Sequence, residues 1–123
     1  MDAGAGIATG RSVSKITDSA RDEECQIRLV GICNRNPETV VWCHANGSAA
    51  GKGIGMKSHD LLGAYGCSAC HDAYDRRNLM AVRPNYSREQ VELAFWHGHA
   101  RSFLILVAKG LVVLARGKTV VAA

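Results

Sequence analysis

The run Cys67-Ser68-Ala69-Cys70-His71-Asp72-Ala73-Tyr74-Asp75-Arg76-Arg77 carries the densest chemistry in the chain, and its reading decides how the rest is organised. Cys67 and Cys70, with two residues between them on a turn, can both reach one tetrahedral zinc at about 2.3 Å. The run then enters a short helix. His71 and Asp75 fall one turn apart on its face, so they either hold one divalent ion together or form a helix-surface His–Asp pair. Completing a zinc site requires a second pair of thiols. Cys25 and Cys33 are separated by seven residues, wider than the usual gap of about two to four. The intervening stretch is partly alternating and β-rich, and Asn34-Arg35-Asn36-Pro37 follows as a turn, which makes a knuckle. A structural zinc on Cys25, Cys33, Cys67 and Cys70 is therefore expected, the competing reading being unrelated buried thiols.

The chain has 123 residues, 47% hydrophobic and 21% charged, enough for one compact domain. Its net charge of +4 is a mild bias towards anionic partners. The first residues contain the early acid Asp2 and no apolar block, so no secretory signal is read and a cytoplasmic protein is expected. Five cysteines in such a chain favour metal ligation over a disulfide framework. The most apolar stretch, residues 103–115, is interrupted by Lys109 and falls short of the roughly 20 apolar residues of a membrane span. A redox-thiol reading is weakened because Cys67-x-x-Cys70 lacks βαβ surroundings.

Further out, residues 1–19 are rich in Gly, Ala, Ser and Thr and read as a flexible tail, leaving 20–123 as a single domain. Thr39-Val40-Val41-Trp42-Cys43-His44 predicts a strand with His44 at its end. Cys43 and His44 then face opposite sides, and Cys43 reads as a small core residue. Asn46 to Lys57 is a glycine-rich loop whose spacing fails both the Walker and the dinucleotide patterns, although Lys52 and Lys57 within it suit phosphate contact. Asp60 is a candidate orienting residue beside His59. Ser87 and Gln90 form a capping box that opens a helix over 87–109. Its expected buried face comprises Val91, Ala94, Phe95, Ala100, Phe103, Leu104 and Val107. A short strand is expected at 111–114. His97 and His99, two residues apart, lie on different helix faces and read as packing or surface residues. The fold class is α+β, and a second apolar face on so long a helix allows self-association.

A strand ending in histidine, a glycine-rich loop and Cys-x-x-Cys-His opening a helix together resemble the HNH, or His-Me finger, nucleases of the ββα-metal type. More narrowly, Glu24-Cys25-Gln26-Ile27-Arg28, Gly31-Ile32-Cys33-Asn34, Asn36-Pro37-Glu38-Thr39, His44, Asp60-Leu61, Cys67 to Asp72 and Asp75-Arg76-Arg77 resemble the YbcO family of small prophage-encoded nucleases. The match covers about residues 20 to 115. The resemblance implies a zinc-stapled, treble-clef-like ββα-metal domain followed by the long helix. It also implies a metal-dependent endonuclease acting on DNA in the host cytoplasm. His44 falls on the general base, His71 on the position that holds a catalytic divalent ion such as Mg2+, Mn2+ or Ni2+, and Asp75 on a second ligand position. Cys43 stands where HNH enzymes often carry a ligand. The motif's central Asn has no clear counterpart, Asp60 being the nearest polar residue.

These residue types suit the chemistry. Imidazole titrates close to neutral pH and can take a proton from water, and a divalent ion neutralises charge on the phosphate. Lys52, Lys57, Arg76 and Arg77 are placed to grip backbone phosphates, or else to form a solvated charged surface. The rival reading is a non-catalytic zinc module that binds DNA or a phage recombination or replication protein.

Overall fold

The structure, a computed structural model, describes residues 15–46 and 60–113. The β-branched and aromatic run builds β1 (Val41–His44), entered through a single 3-10 turn at Pro37–Thr39 that the Asn36 side chain caps. β1 pairs antiparallel with β2 (Gly63–Gly66), placing Trp42 opposite Tyr65 and His44 opposite Gly63. Sequence reading does not find β2, because Gly63-Ala64-Tyr65-Gly66 has little intrinsic strand preference. Packing makes it a strand. A Cβ on Gly63 would stand 2.5 Å from Trp42 Nε1, so the indole lies directly across that glycine. The outer side of Tyr65 is also satisfied: its amide donates to Ser102 Oγ at 3.0 Å, and its carbonyl accepts from the Gln26 amide at 2.8 Å. The free edge of the two-stranded sheet is thereby covered.

α2 (Ser68–Tyr74) follows β2 directly, so the described chain carries a strand–strand–helix unit. After α3 (Leu79–Val82), the capping box of Ser87 and Gln90 opens α4 (Arg88–Ala108), which crosses β2. The core is formed by Ile27, Leu29, Trp42, Tyr65, Phe95 and Leu106, with Tyr74 stacked on Phe95 at a ring separation of 4.0 Å.

The buried seam of α4 is Val91, Phe95, Gly98, Ser102 and Leu106, which corrects the expected face. Val91 and Phe95 were expected there, but Ala100 and Leu104 are exposed, while Ala94, Phe103 and Val107 are only partly covered. The C-terminal half of α4 is apolar around most of its circumference, so periodicity alone does not select the seam. Close approach selects it: a Cβ on Gly98 would meet Gln26 O at 2.9 Å, and the Ser102 hydroxyl is needed for the Tyr65 amide. His97 is exposed, and His99 is bonded through Nδ1 to Gly63 O at 2.8 Å.

Three other local expectations change. Residues 25–33 form turns rather than extended backbone, with the Ile32 and Cys33 amides both donating to Leu29 O. Over 111–113 no strand forms: Gly110, at φ +76°, turns the chain back, and the Leu111 and Val112 amides donate to Leu106 O. Leu114 lies outside the described residues. Residues 15–19, which composition placed in the tail, include the one-turn α1 (Lys15–Asp18), and the Ser19 hydroxyl is bonded to Tyr65 Oη at 2.7 Å. Among the described residues no helix is long and apolar enough to cross a membrane.

Candidate metal centres and active site

The wide Cys25–Cys33 gap closes because Gly31, at φ +83°, lets residues 29–33 turn sharply, bringing Cys33 back beside Cys25. Cys67 caps α2 and Cys70 lies in its first turn, so the second pair is set by helix geometry. The four Sγ atoms lie within 4.8 Å of one another, and Cys33 and Cys67 are 3.8 Å apart. A tetrahedron with metal–sulfur bonds of about 2.3 Å has edges of about 3.8 Å, so the donor set fits one ion such as zinc. Backbone amides already point at the sulfurs: Arg28 N at Cys25 (3.5 Å), Asn34 N at Cys67 (3.5 Å) and Cys70 N at Cys67 (3.4 Å). Such amides stabilise thiolate charge. The hydrogen bond from the Cys70 thiol holds Cys25 down at about 4, and the same bond pushes Cys70 up, while burial pushes Cys33 up to about 11. A bound dication favours the thiolate at all four positions.

The Asn34 side chain locks the knuckle onto α2. Its Nδ2 donates to Ser68 Oγ at 3.0 Å, and its Oδ1 accepts from the Asn36 amide and the Thr39 hydroxyl. Cys43 stands apart from this cluster, fully buried in the core, and burial pushes its thiol up.

His44 ends β1 with its side chain 42% exposed, and its Nε2 is 3.0 Å from Asp60 Oδ1. Asp60 is itself held, because its carbonyl accepts from Trp42 Nε1 at 2.7 Å. On α2, His71 Nε2 lies 3.1 Å from Asp75 Oδ2. Asn46, two residues beyond His44, ties the end of β1 to α2: its Nδ2 donates to Asp75 Oδ1 at 3.0 Å, and its amide donates to Tyr74 Oη at 2.7 Å. Sequence reasoning missed Asn46. The only local signal was an Asn at the mouth of the glycine-rich loop, and its partners lie almost thirty residues away, at Tyr74 and Asp75.

A family model described as "Putative nuclease YbcO" matches residues 14–111. The chain belongs to the YbcO family. Similar proteins include "Putative nuclease YbcO" of Escherichia coli (strain K12), 37% identical over 100 residues that make up 81% of this chain and 98% of that protein. The protein of the same name from Enterobacteria phage 82 matches with the same identity and coverage. Among solved structures, one described as a putative bacteriophage protein from Escherichia coli K-12 MG1655 superposes with a TM-score of 0.62. It is 34% identical and covers 76% of this chain and 98% of its own. The span matched by the YbcO family contains the four clustered thiols together with His44, Asn46, Asp60, His71 and Asp75.

The basic residues of this YbcO-family chain divide. Arg77 is engaged within the molecule, with Nε on Asp72 Oδ1 at 3.1 Å and Nη2 on Asp75 Oδ2 at 3.0 Å. Arg76 follows α2 in the left-handed conformation, at φ +64°, and is exposed. Lys52 and Lys57 lie outside the described residues.

Proposed function

We propose that this YbcO-family chain is a phage- or prophage-encoded, metal-dependent endonuclease that hydrolyses phosphodiester bonds in DNA. In this reading β1, β2 and α2 are the ββα-metal unit of an HNH-like fold, and Cys25, Cys33, Cys67 and Cys70 hold a structural zinc. The observation that carries it is a pair of His–Asp couples, His44 with Asp60 at the end of β1 and His71 with Asp75 on α2, with Asn46, two residues past His44, bonded to Asp75.

With its Nε2–H donating to Asp60, His44 presents Nδ1 as a free base to a water near the end of β1. Asp60 fixes the tautomer and ring orientation, and Trp42 fixes Asp60. His71 and Asp75 would hold the divalent ion, and Asn46 positions the Asp75 carboxylate. When bound, an ion such as Mg2+, Mn2+ or Ni2+ supplies neutralisation of phosphate charge. Arg77, bonded to Asp72 and Asp75, keeps a guanidinium beside the carboxylate that would hold the ion.

The test is nicking of supercoiled plasmid by zinc-loaded protein with each added metal, beside His44→Ala. Nicking that depends on the added metal and vanishes in the variant, at unchanged zinc content and melting temperature, supports the reading. Equal background in both proteins, on duplex, branched and single-stranded DNA, transfers it to the non-catalytic zinc module. One observation favours that second reading: Asp75 already accepts from Asn46 and Arg77 as well as facing His71.

A further inference from the structure

The cysteine knuckle borders a cleft of about 550 Å³, lined by Arg28, Arg35, Glu24 and Gly31 together with Cys25 and Cys33. Both arginines are exposed, and neither has an acidic partner among the described residues, unlike Arg77 and Lys109. Both also sit in the left-handed backbone region, at φ +58° and +57°. That conformation costs a side-chain-bearing residue free energy, and Asp22 and Arg76 share it at φ +65° and +64°.

Arg28 is pre-oriented. Its Nε donates to Cys25 O at 3.3 Å and its Nη2 to Gln26 Oε1 at 2.9 Å, which leaves Nη1 uncommitted among the described residues. Positive potential is reinforced from behind, where Arg101 on α4 donates to Gln26 O. Burial and the nearby Arg28 together push the Arg101 pKa down. The space beside Gly31 is open, since a Cβ there would meet nothing within 4 Å. Cys25 and Cys33 anchor the two ends of the knuckle, so metal binding at the thiols stiffens the cleft.

We propose that the cleft between Arg28 and Arg35 is a second nucleic-acid contact, which grips the phosphodiester backbone away from His44 without reading bases. The proposal rests on the reading that the ligand is DNA and adds an anchor that the cleavage chemistry does not itself require. Guanidinium forks suit phosphate oxygens, and backbone contacts set affinity and register rather than sequence preference. The competing role for the same charges is compensation of the zinc–thiolate centre, whose net charge is about −2 with four thiolates.

The experiment measures binding of a short labelled DNA duplex to the full zinc-loaded chain as a function of salt. His44→Ala is the background, so that cleavage does not intervene. Each duplex phosphate contact contributes a slope of about 0.9 in log K against log salt, so Arg28→Gln with Arg35→Gln should lower it by about 2. Arg28→Lys with Arg35→Lys should largely restore the slope. Arg21→Gln with Arg83→Gln, which removes the same charge elsewhere, should change it less. An unchanged slope in the glutamine pair overturns the proposal, and easier zinc loss in that pair at an unchanged slope assigns the arginines to charge compensation. If Arg28→Gln perturbs the knuckle, as judged by zinc content, Arg35→Gln alone is read for a loss of about one. Plasmid nicking by the wild-type chain is scored separately. Failure of nicking with the arginine effect intact overturns the nuclease reading alone, whereas absence of DNA binding by the parent overturns both.

Discussion

At the scale of single residues, the Asp60 carboxylate against His44 Nε2 lets the function be tested in graded steps. General acid–base catalysis by a positioned side chain is worth about 10²- to 10⁴-fold. His44→Ala should therefore lower the nicking rate by at least about 100-fold without changing DNA affinity. Asp60→Asn should lower it less and alter its pH profile, because the imidazole loses the partner that sets its tautomer; an unaltered profile would remove Asp60 from the mechanism. Tyr74 provides a pH reading of the same neighbourhood. Burial pushes its hydroxyl up to about 12, so the folded state keeps a proton that the unfolded chain releases near 10. The folded state binds more protons in that interval, so Tyr74's contribution to stability is level below pH 10 and falls between about 10 and 12. Tyr74→Phe should flatten that alkaline decline in urea titrations. It should also cost about 1 kcal/mol at neutral pH, through the bond lost to the Asn46 amide.

At the scale of elements, α4 shows how local and tertiary signals divide. Its start follows from adjacent residues: Ser87 Oγ accepts from the Gln90 amide at 3.1 Å, and Gln90 Oε1 accepts from the Ser87 amide at 2.7 Å. Ser87→Ala should cost about 1 kcal/mol, measured by chemical denaturation. Its seam follows from what it crosses. Gly98→Ala places a methyl 2.9 Å from Gln26 O, so backbone rather than a flexible side chain must shift, and a loss of about 1 to 3 kcal/mol is expected. Retained stability in that variant would mean that the contact with residues 26–27 relaxes freely. β2 is the complementary case, for its glycines carry no strand signal and matter only because Trp42 and the knuckle lie over them.

At the scale of the whole molecule, the zinc-type cluster links the knuckle to the helix that carries His71. Two of its thiols come from the knuckle and two from the start of α2, so an ion held there would tie the knuckle to that helix. Apparent zinc-binding free energies of about 10 to 16 kcal/mol in zinc-finger peptides exceed the stability of most small domains. Chelation, or Cys70→Ala, should therefore unfold residues 24–37 and α2 together, seen as coincident loss of zinc content and hydrogen-exchange protection. If protection of α2 survived complete zinc removal, its packing through Tyr74 on Phe95 would be sufficient alone.

Legibility followed the range of the interaction. Cys67-x-x-Cys70, the His71–Asp75 spacing, the extended run ending at His44 and the capping box are all read within a few residues, because helix pitch, strand pleat and metal geometry act locally. The coupling of Cys25 and Cys33 to those thiols follows in the sequence from the β-turn character of the stretch between them, and the described geometry is consistent with it. What the amino-acid order alone determined is thus the chemical inventory and the short-range elements that carry it. Only the tertiary structure decided that Asn46 reaches Asp75, that Gly98 and Ser102 form the seam of α4, and that Gly63-Ala64-Tyr65-Gly66 is a strand. Each of these depends on two backbones approaching from distant parts of the chain, a close fit that hydrophobic periodicity does not encode.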